Sequence, residues 1–196
     1  MQILKRIAHW KVPLVVALIC VVAAVLGDDA REVLRYDRAA IADGQYWRLL
    51  SGHFSHLGYS HLLLNLSGLV LVWLLVGRLY TTPQWLLVAV VSVVAMDAGF
   101  WFLDANLRWY VGLSGMLHGL LLAGAIGGIR SLPAESIVIC ALVVAKLVYE
   151  QIAGPLPGSE AVAGGSVVVN SHLYGATGGA LSAFIFWHRV RRQASI

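Results

Sequence analysis

The sequence predicts an all-α membrane protein, a bundle of six transmembrane helices, and three observations carry that prediction. Hydrophobic residues make up 59% of the 196-residue chain and charged residues only 12%, where a soluble domain has about a quarter charged. Six apolar stretches approach or reach the roughly 20 residues that a helix needs to cross a bilayer. Charge is concentrated between those stretches and at the chain ends.

The first helix is expected at 12–27, opened by Pro13, whose fixed φ suits a first helical turn. Lys5, Arg6 and Lys11 followed by VPLVVALICVVAAVLG imitate a signal peptide. More membrane segments follow, not a free soluble domain, so an uncleaved first span is the better reading. The remaining helices are expected at 56–77, 83–103, 109–129, 135–152 and 170–188. A charged segment, DDAREVLRYDRAAIADGQYWRLLSGHFS, separates the first two. GPLPGSEAVAGGSVVV, between the fifth and sixth, is rich in Gly and Pro and reads as a mobile loop. There is no internal repeat or low-complexity tail, and one domain is expected over 1–196.

Orientation follows from Lys and Arg near the helix ends. Lys5, Arg6, Lys11, Arg78, Arg130, Arg189, Arg191 and Arg192 fall on one side. Arg31, Arg35, Arg38, Arg48 and Arg108 fall on the other, mixed with most of the acids. Both termini are therefore expected in the cytoplasm. Trp10, Trp85 and Trp187 mark the inner interface, and Trp101 and Trp109 the outer one. The net charge of +4 reflects this topology; no basic stripe with interleaved aromatics suggests nucleic acid. Cys20 and Cys140 lie mid-way along apolar runs, which predicts neither a disulfide nor a metal site. No cofactor is expected.

Polar groups within a membrane are costly, so each requires a reason. They form three clusters: His56, His61 and Asn65 in FSHLGYSHLLLNLSG; Ser114 and His118 in GLSGMLHG; and His172 in NSHLYGATGG. All three lie in the first turns of helices that start at the outer face. At 1.5 Å per residue, Ser114 would sit roughly 8 Å below Trp109. Three distant stretches thus converge on one shallow layer.

Those residue types suit acyl transfer. A serine hydroxyl is a poor nucleophile until a base takes its proton, and imidazole is the usual base. The developing oxyanion needs donors. His61 and Asn65, i and i+4, share a helix face and can both donate. The Ser114 amide lies near a helix start, where N–H groups are free. No acid occurs in 109–129 or 161–188, which predicts a Ser–His dyad, with Asp97 as an outside candidate for a third member. Gly115, Gly119, Ala123 and Gly127 form a small-residue ridge, and Gly175 and Gly179 a second one. If the two ridges meet, the backbones approach closely and Ser114 comes within reach of His172.

Together these residues resemble the rhomboid family of intramembrane serine proteases, over about 44–190. Trp47–Arg48 matches the family's Trp-Arg motif in the first outer loop. His56, His61 and Asn65 match H-x4-H-x3-N, and Gly112, Ser114 and Gly115 match G-x-S-G. His172, Gly175 and Gly179 match A-H-x-x-G-x-x-x-G, except that Ser171 replaces Ala. The resemblance implies Ser114 as nucleophile, His172 as base, and His61, Asn65 and the Ser114 amide as the oxyanion site. His118 stands where many rhomboids have an aromatic that stacks on the catalytic histidine. LSGMLHG and GQYWRLLSGHFSH resemble the rhombosortase branch, bacterial enzymes associated with secreted proteins that end in a Gly-Gly tail segment. That implies an inner-membrane enzyme acting on transmembrane protein substrates near the outer face.

Plainer readings stand beside these. Ser114 alone could pack a small-residue helix, and His172 alone could cap one. His56 is expected to bond loop backbone, and His53 and Ser60 to be loop polar groups. His118 either stacks on His172 or only packs. Trp47–Arg48 is expected to brace the first loop. Lys146 and Glu150, i and i+4, are expected to form an internal ion pair. The alternatives to a Gly-Gly protease are a general rhomboid protease, a non-proteolytic client-binding relative, and a small transporter using Lys146, Glu150 and Asp97. The last would need a polar path through both leaflets, and the inner half is almost purely apolar.

Overall fold

The computed structural model describes residues 10–193, with side chains as far as Trp187. Lys5 and Arg6 lie outside the described residues, as do the side chains of Arg189, Arg191 and Arg192. The long helices are α1 (Lys11–Val25), α5 (Tyr59–Val76), α6 (Thr82–Phe102), α7 (Ser114–Gly128), α8 (Pro133–Ala153) and α10 (Val169–Gln193). Tyr59–Val76, Thr82–Phe102 and Pro133–Ala153 are each long and apolar enough to cross a bilayer unaided. The chain is an all-α integral membrane protein, whose one β element is a two-residue pair among the described residues.

Local signals explain the helix ends. Pro133 opens α8, where a missing N–H costs nothing. Thr81 and Gln84 form a capping box on α6. Arg38 reaches the other end of α6 and donates to the carbonyls of Phe100 (2.8 Å) and Trp101 (2.7 Å), which the helix itself leaves unpaired. Gly27, at φ 83°, allows the chain to turn by 118° from α1 into α2 (Gly27–Leu34).

The segment between α1 and α5 is more structured than its charge suggests. After α2 come β1 (Tyr36–Asp37), α3 (Arg38–Ala42), α4 (Arg48–Ser51) and a 3-10 turn, Gly52–Phe54. β1 pairs antiparallel with β2 (Trp109–Tyr110), matching Tyr36 to Tyr110. The helix expected over 109–129 is shorter than its apolar run: residues 109–113 are not helical, and α7 starts at Ser114. The strand pairing and Gly112, at φ 136°, explain the late start. The estimate that Ser114 lies a fixed helical rise below Trp109 falls with it. A different constraint replaces it. A 15-residue helix is only about 22 Å long, short of the roughly 30 Å hydrocarbon core, so α7 cannot reach both interfaces. The expected mobile loop also contains a short helix, α9 (Ser159–Ala163), which packs on α5.

Among the described residues the core has three clusters, the smallest joining Leu122 of α7, Val143 and Leu147 of α8 and Ala176 of α10. Trp73, Trp85, Leu69, Leu113, Met116 and Leu120 belong to the largest cluster. Tyr36, Ile41, Met96, Phe100 and Tyr110 belong to a second, beneath the β pair. Large apolar side chains such as Leu14, Leu18, Leu63, Leu74, Ile137 and Leu142 face outward, as a lipid-facing surface requires.

Small residues fix the centre. α10 packs against both α7 and α6. A Cβ on Gly175 would strike the Gly115 carbonyl, and one on Gly179 the Gly119 carbonyl. The two expected ridges therefore meet. Gly127 does not join them; it faces the Tyr80 ring.

Gly175→Ala is expected to force α7 and α10 apart and destabilise the fold by about 1–3 kcal/mol, the usual cost of overpacking. Gly58→Ala, at an extended backbone position with open space around it, should leave thermal unfolding in detergent unchanged. Equal melting of the two variants would contradict this packing.

Candidate active site at the head of α7

The three polar clusters arrive at one place because each lies at or near the start of its helix. Ser114 is the first residue of α7, His61 the third of α5, and His172 the fourth of α10. His172 Nε2 lies 3.0 Å from Ser114 Oγ. The other face of the ring is fixed by His118, whose imidazole stacks on it with centroids 4.3 Å apart and planes 25° apart. His118 Nδ1 lies 2.7 Å from the Ser114 carbonyl. A carbonyl only accepts, so His118 carries its proton on Nδ1. Of the two readings of His118, stacking is the observed one.

His61 and Asn65 line the same cavity as Ser114 and His172. The Leu57 amide donates to His61 Nδ1 at 3.3 Å, so the neutral ring has its proton on Nε2. That nitrogen lies against Gly112, where an added Cβ would come within 3.2 Å of it. Asn65 is 3% exposed, and its Nδ2 has no partner within the protein. A buried amide donor left unpaired costs free energy unless something else accepts from it. The Ser114 N–H is free as well, since it opens the helix. Tyr110 Oη donates to the Gly112 carbonyl at 2.7 Å, and the Gly112 amide donates to the Gly52 carbonyl at 3.1 Å. These two bonds and the left-handed φ hold the turn ahead of Ser114.

His56 lies against the loop backbone at Phe54, as expected, though neither ring nitrogen reaches full hydrogen-bond geometry. Its ring stands edge-on to His61, with centroids 5.1 Å apart. Trp47 and Arg48 do brace the first loop. Arg48, 8% exposed, donates to Gln45 Oε1 (2.8 Å) and to the carbonyls of Glu32 (2.7 Å) and Arg35 (3.0 Å). Trp47 Nε1 donates to the Val33 carbonyl at 3.3 Å.

Two placements were not foreseen. Neither of the helices carrying Ser114 and His172 supplies an acid, but α8 does: Glu150 Oε2 lies 2.8 Å from His172 Nδ1 and 2.7 Å from Lys146 Nζ. The expected ion pair is present and also touches His172. Asp97, the outside candidate, is not near His172. It pairs with His53 Nε2 at 3.1 Å, and His53 is not a loop group but wholly buried, beside Phe100 and Tyr110. The i, i+4 spacing revealed the Lys146–Glu150 pair, but no local signal says which way that helix face turns.

A cavity of about 680 Å³ joins these groups. Ser114, His172, His61, Asn65, Lys146 and Glu150 line its polar end, and Leu64, Leu71, Val72, Leu117 and Leu121 continue it as an apolar trough. Leu156, Ser159, Ala163 and Val167, in and around α9, border it. A hydroxyl thus faces an imidazole nitrogen beside free N–H donors, in a space large enough for a peptide segment.

The family model of the Rhomboid domain matches residues 43–189, three quarters of the chain. The chain belongs to the rhomboid family, whose members are in general intramembrane serine proteases acting on membrane proteins within the bilayer. Among the curated proteins, none matches it.

Arg48→Lys should destabilise the protein by about 1.5–3 kcal/mol, because an ammonium cannot replace a buried guanidinium fork that meets three acceptors at once. Thermal unfolding in detergent measures this, and an unchanged midpoint would remove Arg48 as the brace.

Proposed function

We propose that this protein is an intramembrane serine endopeptidase, a rhombosortase-type rhomboid protease formed by one domain of six membrane helices, of which α7 crosses only together with the Gly112 turn that leads into it, with both termini in the cytoplasm. The 3.0 Å approach of Ser114 Oγ to His172 Nε2 carries this reading. Ser114 Oγ attacks the scissile carbonyl carbon while its proton passes to His172 Nε2. The oxyanion is received by the Ser114 amide, His61 Nε2 and Asn65 Nδ2. His172 then gives the proton to the departing amine, and water, activated by the same nitrogen, hydrolyses the acyl-enzyme. His56 supports His61 edge-on, His118 supports His172, and Gly112, Gly115, Gly175 and Gly179 allow the close approaches.

The substrate class follows from helix chemistry and from the resemblance to rhombosortases. A helical client keeps its carbonyls in hydrogen bonds, so it must open locally before it can be cut. Glycine makes opening easier, since it costs about 1 kcal/mol relative to alanine in a helix. The clients are single-pass proteins with a Gly-Gly pair, an apolar helix and a short basic end. The basic end stays inside, so the Gly-Gly pair is presented to the outer leaflet of the bacterial inner membrane. A reporter carrying such a tail, expressed beside the enzyme, should acquire a new C-terminus within a few residues of the Gly-Gly pair by mass spectrometry. Ser114→Ala and His172→Ala should each abolish the product while leaving protein levels unchanged. Equal cleavage after both glycines are changed to leucine would make the enzyme a general rhomboid protease, and retained cleavage by either variant would remove the Ser–His assignment.

Access to the site is gated by the segment around α9, which borders the cavity and rests on α5. A Cβ at Gly165 would come within 2.9 Å of the Leu57 side chain, so cysteines at 57 and 165 can be joined by a short bis-maleimide. The joined protein should turn over a full-length membrane substrate at least tenfold more slowly than the unjoined cysteine variant. An unaffected rate would show that this segment is no lid.

A further inference from the structure

The Lys146–Glu150 pair has a position that an ordinary ion pair does not need. Glu150 is 2% exposed at its side chain and Lys146 28%. A carboxylate buried in a membrane helix is expensive to keep, even when paired. Pairing with Lys146 accounts for its charge but not for its orientation, because one oxygen, Oε2, serves both Lys146 Nζ and His172 Nδ1. Lys146 Nζ is itself 3.3 Å from the same imidazole nitrogen. Two groups of opposite hydrogen-bonding character therefore converge on His172 Nδ1. An ionised carboxylate can only accept, and an ammonium can only donate.

Which of them holds Nδ1 decides whether Ser114 is reactive. If Glu150 accepts from Nδ1–H, the proton is fixed there and Nε2 is bare, ready to take the proton of Ser114. If Lys146 donates to Nδ1, the ring's proton moves to Nε2 and the imidazole can no longer act as a base toward Ser114. The shorter contact is the one to Glu150. Lys146 is kept from His172 by its own bond to Glu150.

We propose that Glu150 is a positioning residue for His172, making the Ser–His pair a three-membered relay, and that Lys146 positions Glu150. The proposal rests on the protease reading and adds a carboxylate from a helix that carries neither Ser114 nor His172. Glu150 holds the ring's tautomer and orientation and faces the imidazolium formed when Ser114 loses its proton; it stays ionised throughout. Such a carboxylate has a large effect on turnover where it occurs, since exchanging it for an amide in a serine protease triad costs about 10⁴-fold.

The test uses full-length protein in proteoliposomes and follows the rate at which a fluorophosphonate labels Ser114, with kcat and KM measured on a cleavable membrane reporter. Glu150→Gln should slow labelling and lower kcat by about 10²–10⁴-fold, with KM little changed. In that variant Lys146 loses its charged partner, is held there only by a neutral amide, and can donate to Nδ1. Glu150→Gln combined with Lys146→Met should therefore label at least tenfold faster than Glu150→Gln alone. A merely structural role predicts the opposite, because removing a second, half-buried side chain of the same cluster would add to the damage. Wild-type labelling rates in Glu150→Gln would overturn the proposal, as would a double variant no faster than the single one. Wild-type protein that is not labelled at Ser114 at all, or is labelled equally without His172, would instead overturn the protease reading and the relay with it.

Discussion

The contact between α7 and α10 is the constraint on which the rest depends. Gly115 and Gly119 of one helix lie against Gly175 and Gly179 of the other so closely that a single added Cβ on Gly175 or Gly179 would meet a main-chain carbonyl. Helices in lipid gain little from burying apolar surface against one another, because the alternative neighbour is equally apolar; close packing of small residues is what holds them. The same approach sets the separation of Ser114 and His172, which lie one and three residues before the first glycines of their ridges. Stability and geometry therefore have one cause here. The site cannot be loosened without weakening the bundle, or the bundle repacked without moving the site.

Around that contact the protein places each polar group at a helix start, where the backbone is already polar. α7 is too short to span the hydrocarbon core, so the Gly112 turn and the β pair lead into it, and the Ser114 amide remains unpaired by the helix. α5 contributes His61 and Asn65 from its first two turns. α8 contributes Glu150 from its last turn. The ends of four helices share one cavity, while lower down Trp73 of α5 and Leu120 of α7 pack in one cluster with Trp85 of α6.

Much of this was legible from local chemistry. The apolar runs located all six long helices, and the glycine spacing predicted which faces of α7 and α10 meet. Ser114, His172, His61 and Asn65 were legible as a set because a membrane segment rarely carries such residues without cause. The failures share a physical origin. Residues 109–113 read as helical because WYVGL is apolar, yet the strand partner that makes them extended lies at Tyr36–Asp37, far away in sequence. Asp97 was the outside candidate for a third group, and its partner proved to be His53, which looked like a loop residue. Glu150 was recognised as an ion-pair partner, but its contact with His172 depends on how α8 is rotated against α10. Rotation of this kind leaves no trace in a helix that is apolar on nearly every side.

The central claim is that Ser114, activated by His172, cuts a membrane protein. Its most direct test is cleavage by purified protein reconstituted in liposomes with one single-pass reporter whose helix is preceded by Gly-Gly. Wild-type protein should release the ectodomain with a defined new C-terminus, and Ser114→Ala, with the same melting behaviour, should release none. Release by the Ser114→Ala protein, or none by wild type under conditions where the reporter is correctly inserted, would contradict the account.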